Sequence, residues 1–321
     1  MKKYIYAVIS LLGLLYGCGK GDDNTNIGEK PQDVLVSLTI KGEILVNDTP
    51  MSRAGESTDD LYGIQIYKDG KYYQYGLFDD ISNIQTLLQT GSKYKFVCTL
   101  VKNGKNVLYS RQDEYSYPFV RTYGHSLNAN MPITNCFEKS YYDEYFTQLY
   151  FGSSSSSDPT NRTNKYAIAD RYYGEYDNYI PQEGGMVNIE LKHTVFGIKT
   201  IVQGIPDGSV SITIKNNIKT FFSKSDISSD FQDDGVIYEC GNIYDAWQYA
   251  DNYTENVTVS GVWTRGVGVE QDLGSKEIQI KRNVMNVIRI TLSADDGDAN
   301  IGITTDTDGD MSNDEVNIDL N

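Results

Sequence analysis

Val34-Leu35-Val36-Ser37-Leu38-Thr39-Ile40-Lys41-Gly42-Glu43-Ile44-Leu45-Val46 is the stretch that decides the fold class. Val34, Val36, Leu38 and Ile40 fall on one side, and Ser37, Thr39 and Lys41 on the other. A period of two is the mark of a β-strand with one buried face. Asn47-Asp48-Thr49-Pro50 then breaks the pattern. Met51-Ser52-Arg53-Ala54-Gly55-Glu56 is small and polar, the kind of exposed loop where proteases cut.

The same grammar repeats downstream. Leu61 to Tyr67 reads as a strand, Lys68-Asp69-Gly70-Lys71 as a tight hairpin turn, and Tyr72 to Phe78 as the returning strand. Ile81 to Leu88 fits a short helix or a bent strand. Lys93 to Lys102 is a clear strand, turned at Asn103-Gly104 into Asn106 to Ser110. Tyr115 to Val120 and Tyr145 to Phe151 are weaker strands. Gly152 with Ser153 to Ser157 and Asp158-Pro159-Thr160-Asn161 is a compositional break, and Tyr166 to Tyr179 reads as irregular and tyrosine-dense. Met186 to Lys192, Val195 to Gln203, Val210 to Lys215, Val257 to Thr264, Glu277 to Lys281 and Val284 to Leu292 continue in the same style. No helix with strong caps is expected. The fold class is therefore all-β, with two antiparallel β-sandwich domains at 34–182 and 183–321.

Residues 1–33 carry a different message. Lys2 and Lys3 precede an apolar run from Tyr4 to Tyr16, too short for a mature bilayer-spanning helix and shaped like a secretory signal over 1–17. Leu15-Tyr16-Gly17-Cys18 resembles a bacterial lipobox, which implies diacylation of Cys18 and an outer-membrane lipid anchor. Two acyl chains suffice for stable anchoring. Residues 18–33 then form a charged tether without apolar periodicity. Its Asp22-Asp23 cluster resembles the surface-export signal of Bacteroidetes lipoproteins.

Composition narrows the function. The chain has 28 Lys and Arg against 44 Asp and Glu, a net charge of −16, which argues against nucleic acid and anionic lipid surfaces as partners. Tyrosine is abundant at 26 and favours strands and amphipathic contact surfaces. With Cys18 acylated, Cys98, Cys136 and Cys240 remain; a Cys98–Cys136 bridge or buried free thiols both fit. His125 and His193 are the only histidines, no serine-hydrolase or zinc-protease motif occurs, and Gly266-Val267-Gly268 lacks the rest of a dinucleotide loop. No catalytic residue, cofactor or metal is expected. Asp306, Asp308 and Asp310 match the first oxygen positions of a calcium loop, but Met311 stands where glycine is needed and Asn317 where glutamate is needed, so a solvated acidic loop is the reading.

Together the lipobox at Leu15 to Cys18, the early strand Val34 to Val46, a basic cut site at Arg53-Ala54, and Gly91-Ser92-Lys93-Tyr94-Lys95-Phe96 resemble the fimbrillin-like surface lipoproteins of the Bacteroidetes. Gly185 to His193, as the opening of the second domain, and Lys281 to Val287 belong to the same pattern. The resemblance implies two transthyretin-like sandwiches, cleavage after Arg53, loss of the first strand, and assembly with other fimbrial subunits by strand exchange. It implies adhesion to host or bacterial receptors. Val316, Ile318 and Leu320 alternate at the far end and fit a donor strand. The alternative is a surface glycan-binding lipoprotein of a polysaccharide-uptake system, drawn from the anchor and from tyrosines such as Tyr141, Tyr142, Tyr145, Tyr172, Tyr173, Tyr176 and Tyr179.

Overall fold

The computed structural model describes residues 30–43, 59–123, 127–140, 169–203, 208–214, 219–223, 231–232, 236–266, 268–292 and 299–306. The elements of the first half are β1 (Asp33–Gly42), β2 (Leu61–Lys68), β3 (Lys71–Phe78), β4 (Ile84–Gln89), β5 (Tyr94–Val101), α1 (Gly104–Val107), β6 (Ser110–Arg111), β7 (Glu114–Tyr123), β8 (Leu127–Pro132) and β9 (Glu138–Lys139). Then come β10 (Arg171–Tyr179), β11 (Gly185–His193), β12 (Val195–Gln203), β13 (Ser209–Ile214), β14 (Lys219–Ser223), β15 (Phe231–Gln232) and β16 (Val236–Glu239). The last are α2 (Ile243–Gln248), β17 (Thr254–Thr264), β18 (Glu270–Lys281), β19 (Met285–Leu292) and β20 (Ala299–Asp306). The fold is almost entirely β, as the alternation predicts.

β4-β1-β11-β10-β5-β2-β3-β9 is one hydrogen-bonded sheet of 8 strands. Its continuity between β11 and β10 rests on two residue pairs, Tyr172 with His193 and Tyr173 with Lys192. There the sheet bends, so that β4-β1-β11 closes over β10-β5-β2. Val34, Val36 and Leu38 meet Ile64, Ile66, Phe96, Cys98, Val187 and Ile189 in one buried cluster. The β2–β3 hairpin forms because Asp69 (φ 49) and Gly70 (φ 75) supply the two left-handed positions that a tight turn matched to strand twist requires.

The second core lies between a sheet built on β12 and β19 and one of order β14-β13-β17-β18. Phe196, Ile198 and Ile288 from the first pack with Ile212, Val259, Trp263 and Ile280 from the second. A third cluster, on the outer face of β10-β5-β2, joins Tyr173, Val97 and Leu61 to Phe119 of β7 and Ile243 of α2. Arg171 of β10 and Glu239 of β16 are both fully buried and pair at 3.2 Å, with the Tyr117 hydroxyl donating to the same carboxylate at 3.0 Å. The Arg171 Nε donates to Thr99 Oγ1 at 2.7 Å. This buried ion pair ties the two cores together.

Several expectations change. Gly185–His193 does not open the second sandwich: it pairs in parallel with β1, and its Val187, Ile189 and Leu191 fill the first core. The sandwiches are not purely antiparallel either, because β12 pairs in parallel with β19 as well. Parallel pairing needs a long connection, and here most of a domain serves as the crossover. Ile81 to Leu88 resolves into the strand β4, whose Ile84, Thr86 and Leu88 are buried. Asn103 takes the left-handed conformation (φ 52) and begins a helical turn at Gly104–Val107 instead of a returning strand. The tyrosine-dense stretch is not irregular over its second part, where β10 runs through Tyr172, Tyr173 and Tyr176. A capped helix also exists: the Asn242 side chain accepts from the Asp245 N–H and starts α2. Cys98 and Cys240 are buried free thiols and Cys136 is exposed and free, so the Cys98–Cys136 bridge is absent.

Candidate functional site at the first strand

β1 follows the pattern that its sequence dictates. Val34 (6 % exposed), Val36 (0 %) and Leu38 (5 %) point into the core, while Leu35 (44 %) points out. Neighbours bond it on both edges. Residues Val36 to Gly42 pair in parallel with Gly185 to Leu191, and Asp33 to Leu38 pair antiparallel with Gln89 to Ile84. The first strand of the described chain is therefore an interior strand of its sheet. Taking it out would strip hydrogen-bond partners from β4 and β11 and open an apolar trough lined by Ile84, Leu88, Val187 and Ile189. Outside, Leu35 sits opposite Leu87, and Met186 pairs with Ser37, so Leu87 (54 %) and Met186 (59 %) extend an exposed apolar patch.

The end of β1 is held by a clasp. Arg282, in the turn between β18 and β19, donates to both carboxylate oxygens of Glu43 at 2.8 and 3.0 Å. The same guanidinium donates to the carbonyls of His193 (2.7 Å) and Ala250 (3.0 Å). The His193 backbone N–H donates to Glu43 at 2.8 Å. Burial alone would raise the Glu43 carboxyl, but the hydrogen bonds from Arg282 and from the His193 N–H outweigh it and hold the carboxyl below its ordinary range. Beside it, the His193 ring stacks on Tyr172 at 4.3 Å, with Asp170 at 2.6 Å from Nε2 and Asn283 at 2.7 Å from Nδ1. His193 is thus a packed, doubly bonded histidine.

The other residues singled out in the sequence are distributed as follows. Cys18, Arg53, Ala54, Ile44 to Val46, His125, Tyr141, Tyr142, Tyr145, Asp308, Asp310 and the Val316 to Leu320 alternation lie outside the described residues. Asp306 ends β20. Among the described residues no three His, Cys, Asp or Glu side chains group as metal ligands, and no helix is long and apolar enough to cross a membrane. Of the tyrosines, Tyr173 is fully buried and Tyr172 is half-buried against His193, whereas Tyr176 remains 39 % exposed. Sequence reasoning missed Glu43 and Arg282 as partners, and no local signal joins two residues 239 positions apart.

No protein-family model matches the chain, and no curated protein matches it in sequence. Solved structures do. The fimbrial anchor protein Mfa2 from Porphyromonas gingivalis aligns at TM-score 0.39 with 9% identity, covering 85% of this chain and 97% of that one. The tip fimbrial protein Mfa3 from the same organism, with a C-terminal truncation, aligns at TM-score 0.32 and 9% identity over 85% and 99%. A fimbrial assembly protein from Parabacteroides distasonis aligns at TM-score 0.32 and 12% identity over 89% and 99%. At these values the likeness is distant.

Proposed function

We propose that this chain is a cell-surface fimbrial subunit, of structural, tip or anchor type, that serves adhesion and joins other subunits by exchange of a strand. The observation that carries the reading is the setting of β1. It is the first strand among the described residues, it is bonded along both edges, and it buries Val34, Val36 and Leu38 into a slot that a second strand of the same alternation would fill. Cleavage at Arg53-Ala54 would separate this strand from the rest of the chain. Without cleavage the strand stays, and with it the lipid that we assign to Cys18, on the outer face of the outer membrane. In this reading the first domain extends through β11, since Leu191 belongs to its core, and the second begins at Val195. The role is one of binding and assembly, without catalysis.

Limited trypsin treatment followed by electrophoresis of unboiled sample tests this. A stable product beginning at Ala54, with a ladder of oligomers, is expected. An intact monomer, or degradation without a ladder, refutes assembly by strand exchange. N-terminal sequencing of protein taken from outer membranes checks the anchor, with a blocked Cys18 terminus expected before processing.

A second reading, surface glycan binding, is favoured by one observation, a tyrosine-walled cleft in the first sandwich.

A further inference from the structure

On the outer face of β10-β5-β2, where Tyr67 and Val97 belong to the outer cluster, and reaching Tyr94 of the first core at one end, lies a half-open cleft of about 670 Å³. That is the size range of small-molecule sites. Its floor is made by neighbouring strands: Tyr67 of β2 pairs with Lys95 of β5, and Val97 of β5 pairs with Glu175 of β10. Tyr67 forms one wall, its ring 5.8 Å from that of Tyr72 in the hairpin. The opposite wall is Tyr244 of α2, 39 % exposed and tilted against Trp247 at 5.8 Å. Trp247 is in turn fixed edge-on against buried Tyr173 at 5.9 Å.

Between the walls the chemistry is polar but balanced. The Glu175 side chain is 7% exposed; it binds Lys95 at 2.7 Å and accepts from the Tyr173 hydroxyl. Burial pushes the Tyr173 phenol up, which keeps its proton on and its donor role fixed. An ionised carboxylate has about four lone-pair sites and an ammonium has three donors, so both groups retain capacity after meeting each other. Asp69, Asp177 and Lys93 at the rim leave the lining with three carboxylates and two ammonium groups. An anionic ligand would meet the carboxylates of a chain with net charge −16. A cationic ligand would meet the lysines. A neutral, polyhydroxylated ligand satisfies both, with hydroxyls donating to Glu175 and accepting from Lys95, and apolar C–H faces resting on Tyr67 and Tyr244.

We infer that this cleft is a binding site for a neutral oligosaccharide, gripped between Tyr67 and Tyr244 over the Glu175–Lys95 pair. The inference rests on the second reading above and is tested apart from assembly, because Tyr67 and Val97 belong to the outer cluster and not to the one that buries Val34, Val36 and Leu38.

The test is an array of neutral and sulfated tri- to hexasaccharides, probed with the intact protein and with Tyr67→Ala, Tyr244→Ala and Tyr176→Ala variants. Thermal melting confirms that each variant is folded. Neutral glycans are expected to bind, Tyr67→Ala and Tyr244→Ala each to weaken binding about tenfold, a loss of about 1.4 kcal/mol, and Tyr176→Ala to leave it unchanged. Trp247 is one of 2 tryptophans, and its emission should shift on titration with the bound glycan. A Trp247→Phe variant should lose that shift. Neutral glycans held equally well by Tyr67→Ala and Tyr244→Ala would overturn the site and leave glycan binding standing. Retention of no glycan, or of sulfated glycans alone, would overturn both.

Discussion

β1 and β12 occupy equivalent places in the two sandwiches. Each is the first strand of its half, and each lies between an antiparallel neighbour and a parallel one: β4 and β11 for β1, β16 and β19 for β12. Their burial differs. β12 is closed on both faces, with Val195, Phe196, Ile198, Ile201 and Val202 all buried. β1 alternates, and only Val34, Val36 and Leu38 are buried. Each such side chain contributes roughly 1.5–3 kcal/mol, so β12 is held by its own packing far more firmly than β1. Their connections differ too. β12 follows β11 across Thr194 alone, while β1 is separated from β2 by the segment that contains Arg53. The same position in the fold carries once a strand packed on both faces and once a strand packed on one.

The largest effect should come from what couples the two halves. Arg171→Met leaves the Glu239 carboxyl buried without its guanidinium. It should cost about 3–5 kcal/mol and destabilise both sandwiches together in urea unfolding monitored by tryptophan emission and near-ultraviolet dichroism. If only one sandwich is weakened, the two halves are not coupled through this pair. Next, Phe196→Ala in β12 should cost about 3–5 kcal/mol. Leu38→Ala in β1 should fall near the low end of its range, about 2 kcal/mol. Equal losses at the two sites would erase the distinction between the strands.

A smaller effect sharpens the comparison. Glu43→Gln should lose at most about 1 kcal/mol, because the side chain is partly solvated. Hydrogen exchange should nevertheless accelerate in β1 and not in β12. The folded-state Glu43 carboxyl lies below its ordinary range, so its stabilisation is fully present above the unfolded value of about 4.3 and is lost as pH falls through the folded value. The difference in stability between Glu43→Gln and the parent should therefore shrink on acidification below about pH 4. A difference independent of pH would remove the clasp from the account. Smallest in relation to β1 is Asn242→Ala, which loses a helix cap worth about 1 kcal/mol and should leave exchange in β1 untouched.

Where one face of a strand is buried and the other is wet, the sequence alternates and the strand is legible, as in β1 and in β11 with its Gly185 to His193 pattern. Asp69-Gly70 was equally plain, since few residues tolerate both left-handed positions. β10 hid because both its faces are covered, Tyr172 by the first core and Tyr173 by the outer cluster, and tyrosines on both sides give no alternation. α2 hid because a single capped stretch of 6 residues is too short for a helical period to register. Membership of β11 in the first core depends on a partner some 150 residues earlier, which periodicity cannot see. The same holds for the Glu43 clasp and for the cleft, whose walls come from a hairpin and a helix far apart in the chain.

The double-edged pairing of β1 also has a mechanical meaning. A pull on the chain ahead of Asp33 runs along the axis of the strand, and the ladders to β4 and β11 lie across that axis. Under such a load the backbone bonds on both edges share the force and must slip together, where a strand peeled from its end would release them one at a time. Loaded in this way, β1 resists traction as a pin does in shear.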